Sequence, residues 1–208
     1  MNFINACERG DIEKVKEIYD LENINNVIIE QAFQLSCRKG RLSIAKWLFD
    51  ISFEKKEIIN IHSGDEYSFY HACSNGYLSV AKWLLEIAEQ KKLGDINIHY
   101  YGHESIFIAT CCYGHFSIAK WLYEITEQKK LICPADSDPQ RGSGVINIHA
   151  QDELAFCLAC RNDHHEIAKW LYHLSLNTKR INIRSKDDFV FHHARANKNN
   201  KILRWLLS

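Results

Sequence analysis

One segment of this sequence is written twice in nearly the same form. The residues ACSNGYLSVAKWLLEI run from Ala72 to Ile87, and TCCYGHFSIAKWLYEI runs from Thr110 to Ile125. Catalytic sites do not usually occur in copies within one chain, whereas stacked structural units do, because each unit buries its apolar face against a neighbour. We therefore expect a fold built from repeated units, and the recurrence of this segment constrains the architecture more than any other feature.

The tryptophans set the register of the repeat. Trp47, Trp83, Trp121, Trp170 and Trp205 are separated by 36, 38, 49 and 35 residues. A turn position lies seven residues before each tryptophan. One further copy, which has no tryptophan, precedes these five copies. The six turn positions are Gly10, Gly40, Gly76, Gly114, Asp163 and Lys198. The pattern predicts one domain over 1–208. Its units are 2–29 (an N-terminal cap unit), 30–58, 66–95, 104–131, 153–180 and 188–208, with an inserted loop at 132–144.

Each copy is predicted to form a helix, a turn, a second helix and a short extended segment. In the second helix of the second copy, apolar residues from Ile44 to Ile51 follow the spacing of one buried stripe. An acid precedes the first helix, where it complements the helix dipole; these acids are Glu30, Glu66, Glu104, Glu153 and Asp188. The alternating INIH or INIR segments favour a small β-hairpin arm. The expected fold class is an all-α repeat solenoid of helix-turn-helix units joined by short β-hairpin loops.

The repeat resembles a known family. The segments TCCYGH (110–115), IAKWLY (118–123) and DIN (95–97) resemble parts of the ankyrin repeat, although SIFI (105–108) and YSFY (67–70) replace its T-P-L-H opening. The combination of ACxxGxLxxAKWL with INIH resembles the ankyrin proteins of mimivirus-like giant viruses. The resemblance implies a curved stack in which hairpins and first helices line a concave binding face, and it implies no catalysis.

Equivalent residues in successive copies should lie about 8–10 Å apart, the spacing of packed helices. At that distance each tryptophan fills the seam between two copies instead of joining a common ligand site. The five cysteines of one column (Cys7, Cys37, Cys73, Cys111 and Cys160) are too far apart for disulfides and act as small buried hydrophobes, whereas Cys112, Cys133 and Cys157 are expected to be more exposed.

A metal site and a cofactor are not expected. His62, His99 and His149 recur at one position of the copies, so they cannot share one ion. One alternative stays open, in which His99, His103 and His115 lie around one copy with Cys111 or Cys112 close in sequence. An enzyme with an improvised site around His99, His103 and Cys112 has little support, because phosphate-binding and zinc-protease motifs do not occur in the sequence.

The third and fourth copies differ from the others and predict the partner-binding surface. Their first helices and hairpin tips carry aromatic residues where other copies have polar or small ones. Exposed aromatic residues are common energetic anchors of interfaces. We expect the binding residues to be Tyr70, Tyr100, Tyr101, His103 and Tyr113. Tyr67, Ile106 and Ile108 either join this surface or pack between copies.

Charge and composition limit the partners. Lysine plus arginine (26) equals aspartate plus glutamate (26), so no overall field attracts nucleic acid or an anionic membrane. The second-helix cations, such as Lys46 and Lys120, precede acids by four residues and are expected to be a solvated face. Neither a membrane span nor a signal peptide is expected. Eight cysteines without a secretion signal indicate the cytoplasm, of the host cell if the protein is viral, with the nucleus left open.

The expected function is a non-enzymatic protein–protein interaction module that binds a host or viral protein through the concave face. The alternative is a substrate adaptor for a host ubiquitin ligase, a role that usually needs a recruiting segment beyond the repeats. The last copy ends on its second helix, so Leu203, Leu206 and Leu207 are expected to be partly uncovered. That apolar end allows weak end-to-end self-association.

Overall fold

The computed structural model describes residues 2–99, 104–132, 145–176, 179–196 and 200–207. Within these ranges the chain forms twelve α-helices and no β-strand, which confirms an all-α fold. The helices are α1 (Phe3–Arg9), α2 (Ile12–Leu21), α3 (Asn26–Arg38), α4 (Leu42–Glu54), α5 (Ser63–Ser74), α6 (Leu78–Gln90), α7 (Ser105–Cys112), α8 (Phe116–Ile132), α9 (Ala150–Arg161), α10 (His165–Ser175), α11 (Ser185–Ala196) and α12 (Asn200–Leu207). None of them, as far as the chain is described, combines the length and apolar character that crossing a membrane requires.

The contacts divide the chain into two compact halves, residues 1–96 and 97–208. In the first half α1, α3 and α5 pack side by side, and in the second half α7, α9 and α11 do the same. Each of these first helices also packs against the second helix that follows it in sequence. The helix-turn-helix pairs are therefore as predicted, while the single domain stays a prediction. Nearly all of the predicted inserted loop lies outside the described residues.

The turn between the paired helices has a left-handed backbone. Gly40 and Gly114 have φ angles of 69° and 82°, and Asp163 adopts 63° at the same position. Glycine reaches this conformation without steric cost. The next repeat also approaches the turn closely: a Cβ on Gly40 would lie 2.3 Å from the Tyr77 ring, and one on Gly114 would lie 2.4 Å from the His164 ring. The turn glycine thus lets the following repeat lie directly against the backbone.

A phenylalanine column, which the tryptophan-based alignment missed, lies at the centre of the repeats. The residue seven positions before the turn is a buried phenylalanine in all six copies: Phe3, Phe33, Phe69, Phe107, Phe156 and Phe191. Its ring contacts the tryptophan of the next repeat, with centroid distances of 6.2 Å for Phe107–Trp170 and 6.4 Å for Phe156–Trp205. The first helix therefore supplies one wall of the tryptophan site.

A second ring forms the other wall. An aromatic residue stands nine positions after each described turn, with the exception of the turn at Gly76. Its ring packs edge-on against the tryptophan of the next repeat. The centroid distances and interplanar angles are 5.2 Å and 84° for Tyr19–Trp47, 6.1 Å and 87° for Phe49–Trp83, 5.9 Å and 87° for Tyr123–Trp170, and 5.6 Å and 89° for Tyr172–Trp205. Edge-on pairs add about 0.5–1.5 kcal/mol to the burial of the rings. The predicted seam role of the tryptophans is confirmed at these four junctions.

The INIH and INIR segments form turns, so the predicted β-hairpin loops do not occur in the described part of the chain. In each segment the asparagine Oδ1 accepts a 3.0 Å hydrogen bond from the backbone N–H two residues later; the pairs are His62–Asn60, His99–Asn97, His149–Asn147 and Arg184–Asn182. The flanking isoleucines are buried, as at Ile59 and Ile61. The alternating pattern therefore reflects side chains that point alternately inward and outward. The asparagine side chain binds a nearby backbone N–H group, so that group needs no partner strand.

A side-chain hydroxyl ties the end of the second helix to the next INI segment. Ser52, Thr126 and Ser175 each lie five residues after a tryptophan and donate to the carbonyl three residues earlier. Each oxygen also accepts from the isoleucine N–H that opens the segment: Ile59 at 3.3 Å, Ile146 at 3.3 Å and Ile181 at 3.1 Å. Because Thr126 bonds Ile146 across the insertion, the extra residues leave this junction unchanged.

The Gly40→Ala substitution tests the close approach at the turn. It should lower the free energy of unfolding by about 2–4 kcal/mol, because alanine disfavours positive φ and its methyl group displaces the Tyr77 ring. Urea unfolding measures the loss. Gly64→Ala is the matched control, since Gly64 also has a positive φ of 62° but its Cβ would meet only the start of the Tyr67 side chain, with Cβ at 3.3 Å and Cγ at 3.9 Å. Equal losses in the two variants would show that the Tyr77 contact is irrelevant.

Candidate functional site

Two of the five predicted binding residues lie in the described chain. Tyr70 is half-buried on α5 in the N-terminal half, with its ring edge-on to His71 at 5.1 Å. Tyr113 directly follows α7 in the C-terminal half and is 62% exposed. Tyr100, Tyr101 and His103 lie outside the described residues, so their role stays a prediction.

Two of the three residues that were expected either to join this surface or to pack between copies are buried. Ile106 is 0% and Ile108 is 7% exposed, so both belong to the core. Tyr67 is half-buried, and its hydroxyl accepts a 3.3 Å hydrogen bond from Arg38 Nη1 on the neighbouring first helix. Tyr67 therefore remains part of the accessible surface, while the isoleucines do not.

The accessible side of each first helix is the candidate binding surface. Five residues share one side of each first helix, namely those nine, six, five, two and one positions before the turn. The last four follow the first by three, four, seven and eight residues, and these spacings place side chains on one side of an α-helix. We call these positions the first-helix face. In the third repeat they hold Tyr67, Tyr70, His71, Ser74 and Asn75. The opposite side carries the buried phenylalanine and cysteine columns. On the first-helix face itself Ser74, Ile108 and Cys157 are buried, so the accessible part of the face differs between repeats.

A compact cluster of polar and aromatic groups lies on this face in the N-terminal half. The Tyr67 and His71 ring centroids are 4.2 Å apart. Asn75 Nδ2 donates to the carbonyl of His71 at 2.9 Å and to that of Arg38 at 3.4 Å, which joins α3 to α5. Burial and then the charge of Arg38 lower the pKa of His71. The imidazole is therefore held neutral more strongly than a free histidine.

The same arrangement recurs in the C-terminal half. The Phe189 and His193 ring centroids are also 4.2 Å apart, and the Arg161 guanidinium lies 6.0 Å from the centre of the Phe189 ring. In both halves the arginine is two residues before its turn, and the ring and histidine are nine and five residues before the next turn. The repeat therefore brings an arginine, an aromatic ring and a histidine together when the sequence has these residues at the three positions.

The INIH histidines pair with the acids that precede the first helices. The Nδ1 atoms of His62, His99 and His149 lie 2.8 Å from carboxylate oxygens of Glu66, Glu104 and Glu153, and Arg184 Nη1 lies 3.0 Å from Asp188. The sequence carried a signal for these pairs, a spacing of four residues in all but the His99 pair. From the sequence the acids were expected only to complement the helix dipole, and their pairing with these histidines was not predicted.

Two of these acids also join adjacent repeats. Glu104 Oε1 accepts a hydrogen bond from the backbone N–H of Asn147 at 3.0 Å, and Glu153 Oε1 accepts one from Asn182 at 3.4 Å. Glu153 is 4% exposed. A buried carboxylate needs such partners, because an unpaired charge away from water is strongly unfavourable. The histidine–acid pairs are therefore structural joints of the repeat.

The cysteine column is buried, as predicted, and its thiols are poor nucleophiles. Burial raises the pKa of Cys7 and of Cys37 to about 12, and it raises the pKa of Cys73, Cys111 and Cys160 as well. Protonated thiols react slowly. Every described cysteine is free of disulfides. The expectation for Cys157 was wrong, since it is buried against Ser185; Cys112 is half-buried, and Cys133 lies outside the described residues.

The described residues offer little for metal or small-molecule chemistry. Within them, no group of three or more histidine, cysteine or acidic side chains is placed to hold a metal ion. A cavity of about 330 Å³ lies at the start of α3; it is lined by Asn26, Ile29, Glu30, Glu57, Ile58 and Ile59. Asn26 occupies the position in the second repeat that His62 occupies in the third. Glu30 therefore has no histidine at the equivalent position four residues before it.

No protein-family model matches the chain, and no curated protein matches it. The resemblance to ankyrin repeats therefore depends on the repeated residues alone.

The Glu153→Gln substitution tests the structural role of the histidine–acid pairs. It should lower the free energy of unfolding by about 1–3 kcal/mol, because it removes the charge from a buried pair whose acceptor also holds the next repeat. Asp188→Asn is the matched control at the same position one repeat later, where the pair is exposed and should contribute at most about 1 kcal/mol. Chemical denaturation gives both values. A loss in Asp188→Asn as large as that in Glu153→Gln would contradict this role.

Proposed function

We propose that the chain is a non-enzymatic protein–protein interaction module, an ankyrin-like stack of repeats that binds a partner protein through its first-helix face. The observation that carries the proposal is the contrast between two sets of positions in each repeat. The positions that hold the phenylalanine, cysteine and tryptophan columns keep nearly the same residues. The positions of the first-helix face change from copy to copy on the same local backbone.

The position directly before the turn illustrates the contrast. It holds Arg9, Lys39, Asn75, Tyr113 and Asn162 in the first five repeats, which are cationic, neutral polar and aromatic side chains. Each of these residues precedes a turn residue with a left-handed backbone conformation. Side chains of such different chemistry occupy this position on one local backbone, although some of them, such as Asn75 and Asn162, also bind a carbonyl of the preceding first helix. A surface of this kind is suited to recognition, since its composition can change without loss of the frame.

Exposed aromatic residues on this face favour a protein as the partner. Tyr113 is 62% exposed, and Tyr70 and Tyr67 are half-buried on α5. Tyrosine supplies a large contact area with a polar end and is enriched at interfaces. Tyr100, Tyr101 and His103 join this proposal from the sequence alone. The resemblance to giant-virus proteins makes a host or viral protein in the cytoplasm the proposed partner, and no cofactor is required.

The Tyr113→Ala substitution tests this function. Affinity purification of the tagged full chain from cells should recover at least one partner protein whose capture falls about tenfold in the variant, because loss of an interface anchor weakens binding by about 1–2 kcal/mol. Thermal unfolding should change little, since the Tyr113 ring is mostly in water. Phe53→Ala, which removes an exposed ring from the second helix α4, is the control and should retain capture.

Three results would decide between the functions. Partners lost in Tyr113→Ala and kept in Phe53→Ala would support binding through the first-helix face. Equal capture of every partner by the parent and Tyr113→Ala would refute it for the C-terminal half. Ubiquitin-ligase subunits among the captured proteins would point instead to the adaptor alternative.

A further inference from the structure

The turn between α3 and α4 concentrates positive charge. Arg38, Lys39 and Arg41 surround Gly40, whereas every other turn of the repeat carries at most one lysine or arginine within the same four positions. Arg38 and Arg41 are exposed. We call the residues Arg38, Lys39 and Arg41 the basic turn.

Among the residues that the structure describes, Glu8 is the one acid that lies within ion-pair distance of the basic turn. Lys39 Nζ lies 2.8 Å from Glu8 Oε1, and Arg41 Nε donates to the backbone carbonyl of Glu8 at 3.0 Å. The hydrogen bond and charge of Lys39 lower the pKa of Glu8, and the charges of Arg38 and Arg41 lower it further. All three cations therefore act on one small region. With one carboxylate against three cations, that region keeps a net positive charge.

Arg38 is the cation that the fold uses least. Its Nη1 donates to the hydroxyl of Tyr67 at 3.3 Å, and it forms no ion pair with any described residue. Because the Tyr67 hydroxyl oxygen accepts this bond, its own proton remains available to a second acceptor. The Arg38 guanidinium and the Tyr67 hydroxyl thus present several N–H and O–H donors side by side, with the His71 ring tilted against the Tyr67 ring at a centroid distance of 4.2 Å.

We propose that the basic turn, together with Tyr67, binds an acidic segment of the partner protein, with carboxylates facing Arg38 and Arg41. This inference rests on the proposed function, because the basic turn and Tyr67 belong to the first-helix face and its adjoining turn. Arginine is suited to the task, since its planar fork donates two parallel hydrogen bonds to one carboxylate. Charge complementarity also speeds the encounter between the two proteins.

A protein fits the basic turn better than a nucleic acid does. Nucleic-acid binding typically neutralises about six to ten phosphates along a backbone. The basic turn offers three cations with one compensating acid, and the whole chain has a formal net charge of zero. Two or three carboxylates of a peptide match this small patch, and the neighbouring Tyr67 and Tyr70 rings suit apolar residues beside them.

The experiment is an NMR titration of the full chain with an acetylated, amidated hexaglutamate peptide at about 0.05 M salt, where charge screening is weak. Hexaglutamine is the neutral control peptide. We expect hexaglutamate alone to shift the resonances of Gly40, Tyr67 and His71. The pKa of His71 should rise on binding, because carboxylates at Arg38 offset the positive charge that disfavours the imidazolium. A purely structural role of Arg38 would not produce this rise.

Two variants with the same loss of charge make the test specific. Arg38→Gln should weaken hexaglutamate binding about threefold or more, as expected for removal of one solvent-accessible charge contact. Lys46→Gln, on the exposed side of α4 in the same half, should leave the affinity unchanged. Equal affinities in these two variants would overturn the inference. So would tighter binding of an oligothymidylate of about twelve nucleotides at the same salt, which would assign the patch to nucleic acid.

Failure of this inference can be told apart from failure of the proposed function. If Tyr113→Ala loses a partner while hexaglutamate does not bind, the interaction module stands and the acidic partner segment is wrong. If hexaglutamate binds at the basic turn but no cellular partner depends on Tyr113 or Arg38, the site exists and the proposed function is wrong.

Discussion

The edge-on contact between a tryptophan and the ring nine residues after the preceding turn is the interaction on which each half depends. Trp47 meets Tyr19, and Trp170 meets Tyr123, so the largest side chain of one repeat is partly covered by its predecessor. A repeat cannot form this contact alone. Stability is therefore shared between neighbours, as in other repeat proteins, and loss of one ring affects two helix pairs. The buried phenylalanine of the first helix closes the same site from the other side, which fixes how far apart the repeats can be.

The connections between repeats follow from the need to satisfy backbone groups without strands. An asparagine side chain, a serine or threonine hydroxyl and a carboxylate together bind the N–H groups that a hairpin would pair across its strands. Thr126 on α8 and Glu104, which directly precedes α7, do so in one connection, at Ile146 and Asn147. Because both anchors lie outside the inserted segment, the length of that segment is free to change. The insertion after α8 is tolerated for this reason, since longer loops add little closure entropy.

The sequence predicted what is periodic and missed what depends on local conformation. Helix pairs, the tryptophan seam and the buried cysteine column are patterns along one dimension, so a register of equal spacing was enough to find them. The phenylalanine column was present in the same register but escaped an alignment on tryptophan alone. The histidine–acid pairs depend on acidic residues at positive φ, such as Glu153 at 64°, a conformation that no hydrophobic pattern encodes. In the candidate site Tyr113 is exposed and Ile106 is buried, and residue type alone did not predict this difference in exposure.

The positions that the frame does not explain are the ones that point to a partner. Arg41 has a structural reason to be where it is, because its side chain covers Gly10 and its Nε binds the carbonyl of Glu8. Lys39 is neutralised by Glu8. Arg38 adds a third positive charge beside these two, where like charges repel. At the same position the other repeats have Glu8, Ser74, Cys112, Arg161 and Ala196. We propose that a carboxylate from another molecule completes the surroundings of Arg38. We propose that the partner covers the accessible side chains of the first-helix face, which the next repeat leaves uncovered.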